Sequence, residues 1–158
     1  MFSIICAVGK NNEIGVNNKL PWHIKKDFKF FKQMTLNHKI VMGATTYTTL
    51  PGKLPGRDIF VLSRTLVNND VTVIQNAKKF IEENIDTEEE IFICGGASIY
   101  KLFLPYAKKI YLTEIEKSYD NADTFFPNFD KTKYTKIILN KENENNLNFS
   151  FVLYKKIN

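Results

Sequence analysis

The chain is poor in the residues that build metal and disulfide sites. It has two cysteines, Cys6 and Cys94, and two histidines, His23 and His38. There is no CxxC pair and no HExxH, so no transition-metal site is expected. Both cysteines lie inside strand-like apolar runs, where thiols behave as small buried hydrophobes in a reducing compartment. No stretch approaches the roughly 20 apolar residues of a membrane span. The N-terminal FSIICAV is apolar but lacks a basic lead-in, and Lys10 follows at once. A buried strand is expected there rather than a secretory signal. A cytoplasmic enzyme or binding protein fits these absences best.

Arginine is scarce as well. Of 22 basic residues only Arg57 and Arg64 are arginines. In a chain that otherwise uses lysine, an arginine suggests a site needing a planar fork for a carboxylate or phosphate; ordinary surface placement is the alternative. The net charge of +5 raises the question of nucleic acid. The lysines are scattered, often beside acids, and 17 asparagines accompany them. That is the residue usage of an A+T-rich coding sequence, so the excess charge is read as a solubilising surface and no nucleic-acid partner is expected. Glycine occurs only seven times, so each one locates a demand of the backbone.

What is present is a globular composition, 44% hydrophobic and 25% charged, in 158 residues. That is one domain by length, able to bury about 70% of its unfolded surface. Strand-like runs fall at 2–8, 39–43, 59–63, 71–75, 91–95, 109–116, 134–139 and 149–156, and helical patterns at 24–35, 44–50, 77–84 and 97–104. This alternation predicts an α/β fold: a single domain with a mostly parallel eight-stranded sheet flanked by about four helices. The last two strands flank NKENENNLN with no room for a helix, which predicts a C-terminal antiparallel hairpin. The acid-rich EENIDTEEE reads as a solvated helix end and turn.

Three strand-to-helix junctions carry chemistry. In EIFICGGASIYKLFLP, Gly95-Gly96 precedes a helix starting near Ala97; it either lets an anionic cofactor approach the backbone or makes only a tight turn. VMGATTYTTL sets Gly43 before Thr45 and Thr46 at a second helix start, and IFVLSRTL ends a strand at Ser63-Arg64. In parallel sheets ligands bind beyond the carboxyl ends of strands, so a dinucleotide spanning the three junctions is the leading reading. In WHIKKDFKFFKQM, Ile24, Asp27, Phe28, Phe31 and Met34 fall on one helix face and the lysines on the other, with Phe30 awkwardly between. A carboxylate on that stripe is either structural, as a cap or the partner of a buried lysine, or aimed at a polar ligand edge.

In order along the chain, IGVNNKLPWHIKKDFKFFKQMT, VMGATTYTTLPGKLPGR, VLSR, CGGASIYKLFLP, YLTEIE and DTFFP resemble the dihydrofolate reductase family, from Ile5 to the final hairpin. The resemblance implies NADPH-dependent reduction of dihydrofolate. Asp27 would be the pocket acid meeting the pteridine's 2-amino group and N3, with Thr113 bonded to it. Trp22 would bound the site and hold an ordered water. Ile5, Cys6, Ala7, Phe28, Phe31, Leu50 and Leu54 would wall the substrate, although core packing explains apolar residues equally well. Arg57 would fork onto the α-carboxylate of the glutamate tail. Tyr100 and the Cys94 carbonyl would lie against the nicotinamide. Gly15 to Leu20 would form a mobile flap, with Ile14, Gly15, Asn18 and Leu20 towards the cofactor. Gly43, Ala44, Thr45, Thr46, Leu62, Ser63, Arg64, Gly95, Gly96, Ala97, Ser98 and Ile99 would complete the cofactor site, with a cis bond at Gly95-Gly96. Residues of about 38–88 would be an adenosine-binding subdomain. A monomer binding antifolate inhibitors, with no membrane partner, is implied too.

The chain departs from the family pattern at Ala44 and Ser98, where a basic residue often stands. The 2′-phosphate would therefore lean on Ser63, Arg64 and Thr45. Ala122 replaces a glycine, with one extra residue before it, which puts coupling between that loop and the flap in doubt. The rival readings are a same-fold reductase of another heterocycle, such as the pyrimidine reductase of riboflavin synthesis, a folate or nucleotide binder without turnover, and a nucleic-acid binder.

Overall fold

The computed structural model describes residues 1–50, 54–66 and 70–158 of the chain. In chain order it contains β1 (Phe2–Val8), β2 (Glu13–Gly15), α1 (Lys25–Thr35), β3 (Lys39–Gly43), α2 (Ala44–Thr48), β4 (Asp58–Leu62), β5 (Thr72–Ile74), α3 (Ala77–Asn84), β6 (Ile91–Ile93), α4 (Ala97–Phe103), β7 (Ala107–Ile115), β8 (Thr124–Phe125), β9 (Tyr134–Glu144) and β10 (Leu147–Lys156). Eight strands form one sheet in the order β5-β4-β3-β6-β1-β7-β10-β9. The pairs from β5 to β7 are parallel, and β10 runs antiparallel to both of its neighbours. The Pro51–Lys53 part of the second motif lies outside the described residues, as do residues 67–69.

Period-two alternation splits the core between the two faces of the sheet. Ile4, Val41, Ile93, Ile110 and Leu112 pack with α3 and α4 through Ile81, Ile99 and Phe103. Ile5, Ile40, Met42, Phe92 and Tyr111 face the other way, towards Phe30, Phe31 and Met34 of α1. The expected stripe on α1 therefore turns slightly. Phe30 packs inward, stacked on Phe151 at 4.2 Å, while Phe28 is 45% exposed. The reason is the last strand, which offers Phe30 an aromatic partner that a helical wheel cannot show.

Helix α1 begins after Ile24, whose side chain cannot cap it. Glu144, at the end of β9, supplies the cap instead, accepting from the backbone N–H groups of Lys25 at 2.6 Å and Lys26 at 3.0 Å. Lys26 Nζ adds an ion pair to Glu142 at 2.9 Å. An anion there also complements the helix dipole.

Two features differ from expectation. Short strands β2 and β8 pair as a separate two-stranded sheet; three and two residues carry no periodicity by which to recognise them. The final hairpin is also tighter, its strands running inward to a two-residue turn, Asn145-Asn146, with φ of 53° and 63°. Two-residue hairpin turns of this kind need φ > 0 at both positions, where asparagine is tolerated. Asn146→Val is therefore expected to cost about 1–2 kcal/mol, the penalty for a side chain branched at Cβ in the left-handed region, whereas Asn146→Gly should be neutral or stabilising. Urea denaturation separates these outcomes, and equal midpoints for the two variants would rule out the turn assignment.

Candidate active site

Asp27 lies in the first turn of α1 and faces β7. Thr113, 2% exposed on β7, donates its hydroxyl to Asp27 Oδ1 at 2.7 Å. None of the ion pairs among the described residues includes Asp27. The helix cap is provided by Glu144, so neither structural alternative for this carboxylate describes it. Burial pushes its pKa above the ordinary aspartate value, and the Thr113 hydrogen bond pulls part of the way back. The result is a shielded acid with acceptor capacity to spare.

The surroundings are apolar. Phe31, Leu50, Leu54 and Cys94 pack against the cluster containing Ile5. Ala7 packs beside Trp22, and Cys6 and Ile14 against the opposite cluster. The Trp22 indole N–H is buried without a hydrogen-bond partner, so a donor remains available there. Burial pushes the Cys6 thiol up to about 12 and raises Cys94 likewise, which leaves both as neutral lining at physiological pH. Tyr100 donates its hydroxyl to the Ile5 carbonyl at 2.9 Å, and burial holds it as a neutral phenol.

The two glycine junctions are stitched together by Gly43 N–H donating to the Gly95 carbonyl at 2.9 Å. Gly95 has φ of +114°, and a Cβ there would lie 3.2 Å from the Tyr100 hydroxyl. The bond from Gly95 to Gly96 is cis, as the resemblance implied. A Cβ on Gly43 would lie 3.2 Å from Ile99. Helices α2 and α4, which follow these glycines, have no side-chain cap. By contrast α3 is capped by Asn76, which accepts from Lys79 N, and α1 by Glu144. The first N–H groups of α2 and α4 are thus left for a ligand, and the absence of Cβ atoms lets phosphates come close. These residues suit a dinucleotide.

At the end of β4, Ser63 Oγ accepts from the amides of Thr65 and Leu66 at 3.2 and 3.0 Å. Its oxygen shapes this turn, while its proton can still be donated. Arg64 beside it is exposed, as are Thr45, Asn18, Leu20 and Ser98, whereas Leu62, Ala44, Thr46 and Ala97 are half-buried.

Arg57 is held by three acceptors: Thr35 Oγ1 at 3.2 Å, the Pro55 carbonyl at 2.7 Å and the Lys32 carbonyl at 3.0 Å. Of five guanidinium N–H groups, these engage three, and two have no acceptor among the described residues. The fully buried Thr35 was not foreseen as a partner. It follows the helical stripe by one residue and reads from sequence as a terminal hydroxyl.

Two hydrogen bonds join the loop at Ala122 to the segment after Gly15. Asp123 accepts from Asn17 N at 2.9 Å through its carboxylate and donates its own N–H to the Gly15 carbonyl at 3.0 Å. The Asn17 hydrogen bond holds its carboxyl below the ordinary value. Alanine at position 122 does not prevent these contacts, because Asp123, the next residue, makes them. Among the described residues no cluster of His, Cys, Asp and Glu could hold a metal ion, and no helix is long and apolar enough to cross a membrane.

A family model described as dihydrofolate reductase matches residues 1–156. The dihydrofolate reductase of Buchnera aphidicola subsp. Baizongia pistaciae (strain Bp) is 36% identical over 162 residues, covering 98% of each chain. That of Bacillus subtilis (strain 168) is 32% identical over 162 residues, covering 100% of this chain and 96% of that one. Among solved structures, dihydrofolate reductase from Enterococcus faecalis complexed with NADP(H) and RAB-propyl is similar at a TM-score of 0.89 and 26% identity, covering 100% of this chain and 97% of that one.

The raised pKa of Asp27 has a thermodynamic sign. Folding favours its protonated form, so stability is lost as pH climbs from the ordinary aspartate value to the raised one. Asp27→Asn removes that cost and keeps an acceptor for Thr113. The variant is expected to melt higher than its parent at neutral pH, with the gap closing towards about pH 4. A gap that stays constant across that range would show that ionisation of Asp27 carries no such cost.

Proposed function

Because the chain belongs to the dihydrofolate reductase family, we infer that it reduces 7,8-dihydrofolate to 5,6,7,8-tetrahydrofolate with NADPH, supporting one-carbon metabolism and thymidylate and purine synthesis. The observation that carries the chemistry is the half-buried Asp27 carboxylate, bonded by the Thr113 hydroxyl and paired with no cation among the described residues. A carboxylate in that state suits the 2-amino group and N3 of a pteridine, two donors side by side. NADPH, when bound, supplies the hydride.

The chain's residues do the rest. Asp27 orients the ring, and its charge in an apolar setting favours protonation of the substrate's N5, which makes C6 the better hydride acceptor. The proton arrives through water near Trp22, whose indole N–H is free to hold one. Ile5, Ala7, Phe28, Phe31, Leu50 and Leu54 grip the ring and benzoyl groups, and Arg57 takes the α-carboxylate of the tail. Tyr100, Cys94 and the flap from Gly15 to Leu20 enclose the nicotinamide. The uncapped starts of α2 and α4 take phosphates, and residues of about 38–88 form the adenosine-binding side. The chain acts as a monomer in the cytoplasm, and antifolates occupy the substrate pocket. The same-fold alternative, a pyrimidine reductase, is not favoured.

Spectrophotometric NADPH oxidation on adding dihydrofolate tests the function. Asp27→Asn should lower kcat/KM at neutral pH by about 10²–10⁴-fold, the range for a lost acid–base group, with partial recovery in acid. Activity within about threefold of the parent would remove Asp27 from this role.

For Arg57→Lys, KM for dihydrofolate should rise far more than kcat falls, since a bidentate pair with the tail is the same in ground and transition states. Dihydropterin, lacking the tail, is the control. Equal impairment with it would make Arg57 solely the structural clasp of Thr35, Pro55 and Lys32.

Cofactor choice rests mainly on the exposed Arg64. A charged hydrogen bond is worth roughly 1.5–3 kcal/mol, or about 10- to 150-fold in affinity, so Arg64→Ser should weaken NADPH by that factor and spare NADH. An unchanged ratio of the two Kd values would shift phosphate recognition to Ser63, Thr45 or a lysine.

A further inference from the structure

We propose that Glu13 is a positioning residue for the cofactor cleft, its buried carboxylate fixing the root of segment 14–20 to the chain that follows β7. The proposal rests on the reading of that segment as the flap over the nicotinamide.

Four polar or charged side chains among the described residues are buried: Ser3, Glu13, Thr35 and Thr113. Three have been met or have an evident partner. Thr113 serves Asp27, Thr35 holds Arg57, and Ser3 donates to Glu90. Glu13 is the one carboxylate in the group, 1% exposed, and no ion pair among the described residues includes it. Its two oxygens are occupied by backbone donors instead, Oε1 by the amide of Asn11 and Oε2 by the amide of Tyr119. The side chain thus bridges the turn after β1 and the segment after β7.

Room for it has been made. A Cβ on Gly9 would lie 2.8 Å from Glu13 Oε1, 3.0 Å from its Cδ and 3.1 Å from the Lys117 carbonyl. Any side chain at position 9 would displace the carboxylate, so Gly9 and Glu13 form a matched pair. The backbone reinforces the clasp: Gly9 N–H donates to the Glu13 carbonyl at 2.9 Å and Lys10 N–H to the Lys117 carbonyl at 2.9 Å.

Location turns the clasp into a positioning device. Glu13 opens β2, which pairs with β8 through Glu13–Phe125 and Gly15–Thr124. Beyond Gly15, residues 17–20 are exposed and the hydrogen bond from Asn17 to Asp123 is exposed too. An exposed hydrogen bond exchanges with water at little cost, whereas a buried carboxylate cannot leave its donors without a large desolvation penalty. The tip therefore opens while the root stays, and Ile14 and Gly15 return to the same place each time the tip closes.

Glu13→Gln tests this in the full chain, because an amide cannot accept from both Asn11 and Tyr119 through its two ends. NADPH Kd is expected to rise about tenfold, the scale of a buried hydrogen-bonding group left unpaired, mostly as faster dissociation in stopped-flow fluorescence. KM for dihydrofolate should stay within about twofold. Ile81→Val, a core substitution on α3, lowers the melting temperature without touching the cleft and serves as the control. If Glu13→Gln loses melting temperature but keeps the parent NADPH Kd and dissociation rate, as this control should, the residue is merely structural and the proposal fails. Gly9→Ala, with Glu13 intact, should reproduce the NADPH defect and carries the test if Glu13→Gln does not fold. Combining the two substitutions should add little to either alone, and fully additive effects on NADPH affinity would overturn the matched pair. Parent protein that binds no NADPH would overturn the proposed function together with this proposal, whereas normal parent binding with unaltered variants overturns this proposal alone.

Discussion

The hydrogen bond from Thr113 to Asp27 joins helix α1 to strand β7, and many of the other polar contacts hold those two elements where that bond can form. At its start α1 is gripped by the Glu144 carboxylate and the Lys26–Glu142 pair, both from the final hairpin. At its end Arg57 spans Thr35 and the Lys32 carbonyl. Between those ends, Phe30, Phe31 and Met34 press it against the sheet. With both ends and one face constrained, Asp27 has little freedom, which a 2.7 Å bond across two elements demands.

The distribution of helix caps follows the same logic. Helices α1 and α3 have their first N–H groups satisfied by protein side chains, a glutamate from elsewhere and an asparagine of their own. Helices α2 and α4 begin at glycines and have none. All four starts obey the same requirement, that a helix N-terminus finds acceptors. On the cleft side, the starts of α2 and α4 have no side chain that meets it. A side-chain cap placed there would stabilise the chain by satisfying those N–H groups.

Much of the fold was legible because it depends on local pattern. Eight main strands and four helices appear within a few residues of where period-two and period-3.6 spacing place them, and Asp27 stood out as a charge on an apolar stripe. What remained hidden depends on partners far away in sequence. Glu144 caps a helix 119 residues distant, and Asp123 and Tyr119 each meet the segment near Glu13 across 106 residues. No window on the chain contains such a pair. The asparagines teach a different lesson. Their number read as a coding bias, yet all six non-glycine residues with positive φ among the described residues are asparagines, at positions 12, 17, 18, 37, 145 and 146. A surplus of asparagine has been put to structural use, sparing the chain glycines at those turns.

Asp27 and Glu13 show why a buried carboxylate cannot be assigned from burial alone. Each sits in an apolar layer with no counter-ion among the described residues, and each is held by hydrogen bonds to neutral groups. The difference lies in what is left over. A carboxylate offers about four acceptor positions. Glu13 spends one oxygen on each of two backbone amides and is sealed behind Gly9 at 1% exposure, so nothing can approach it. Asp27 has a single short bond, on Oδ1, and is half-buried. Its second oxygen must find donors elsewhere or bear the desolvation that raises its pKa. A ligand edge with two adjacent N–H donors would relieve that penalty and turn it into binding affinity. Of the two carboxylates, Asp27 is the one the fold leaves incompletely satisfied, and so the one suited to a ligand.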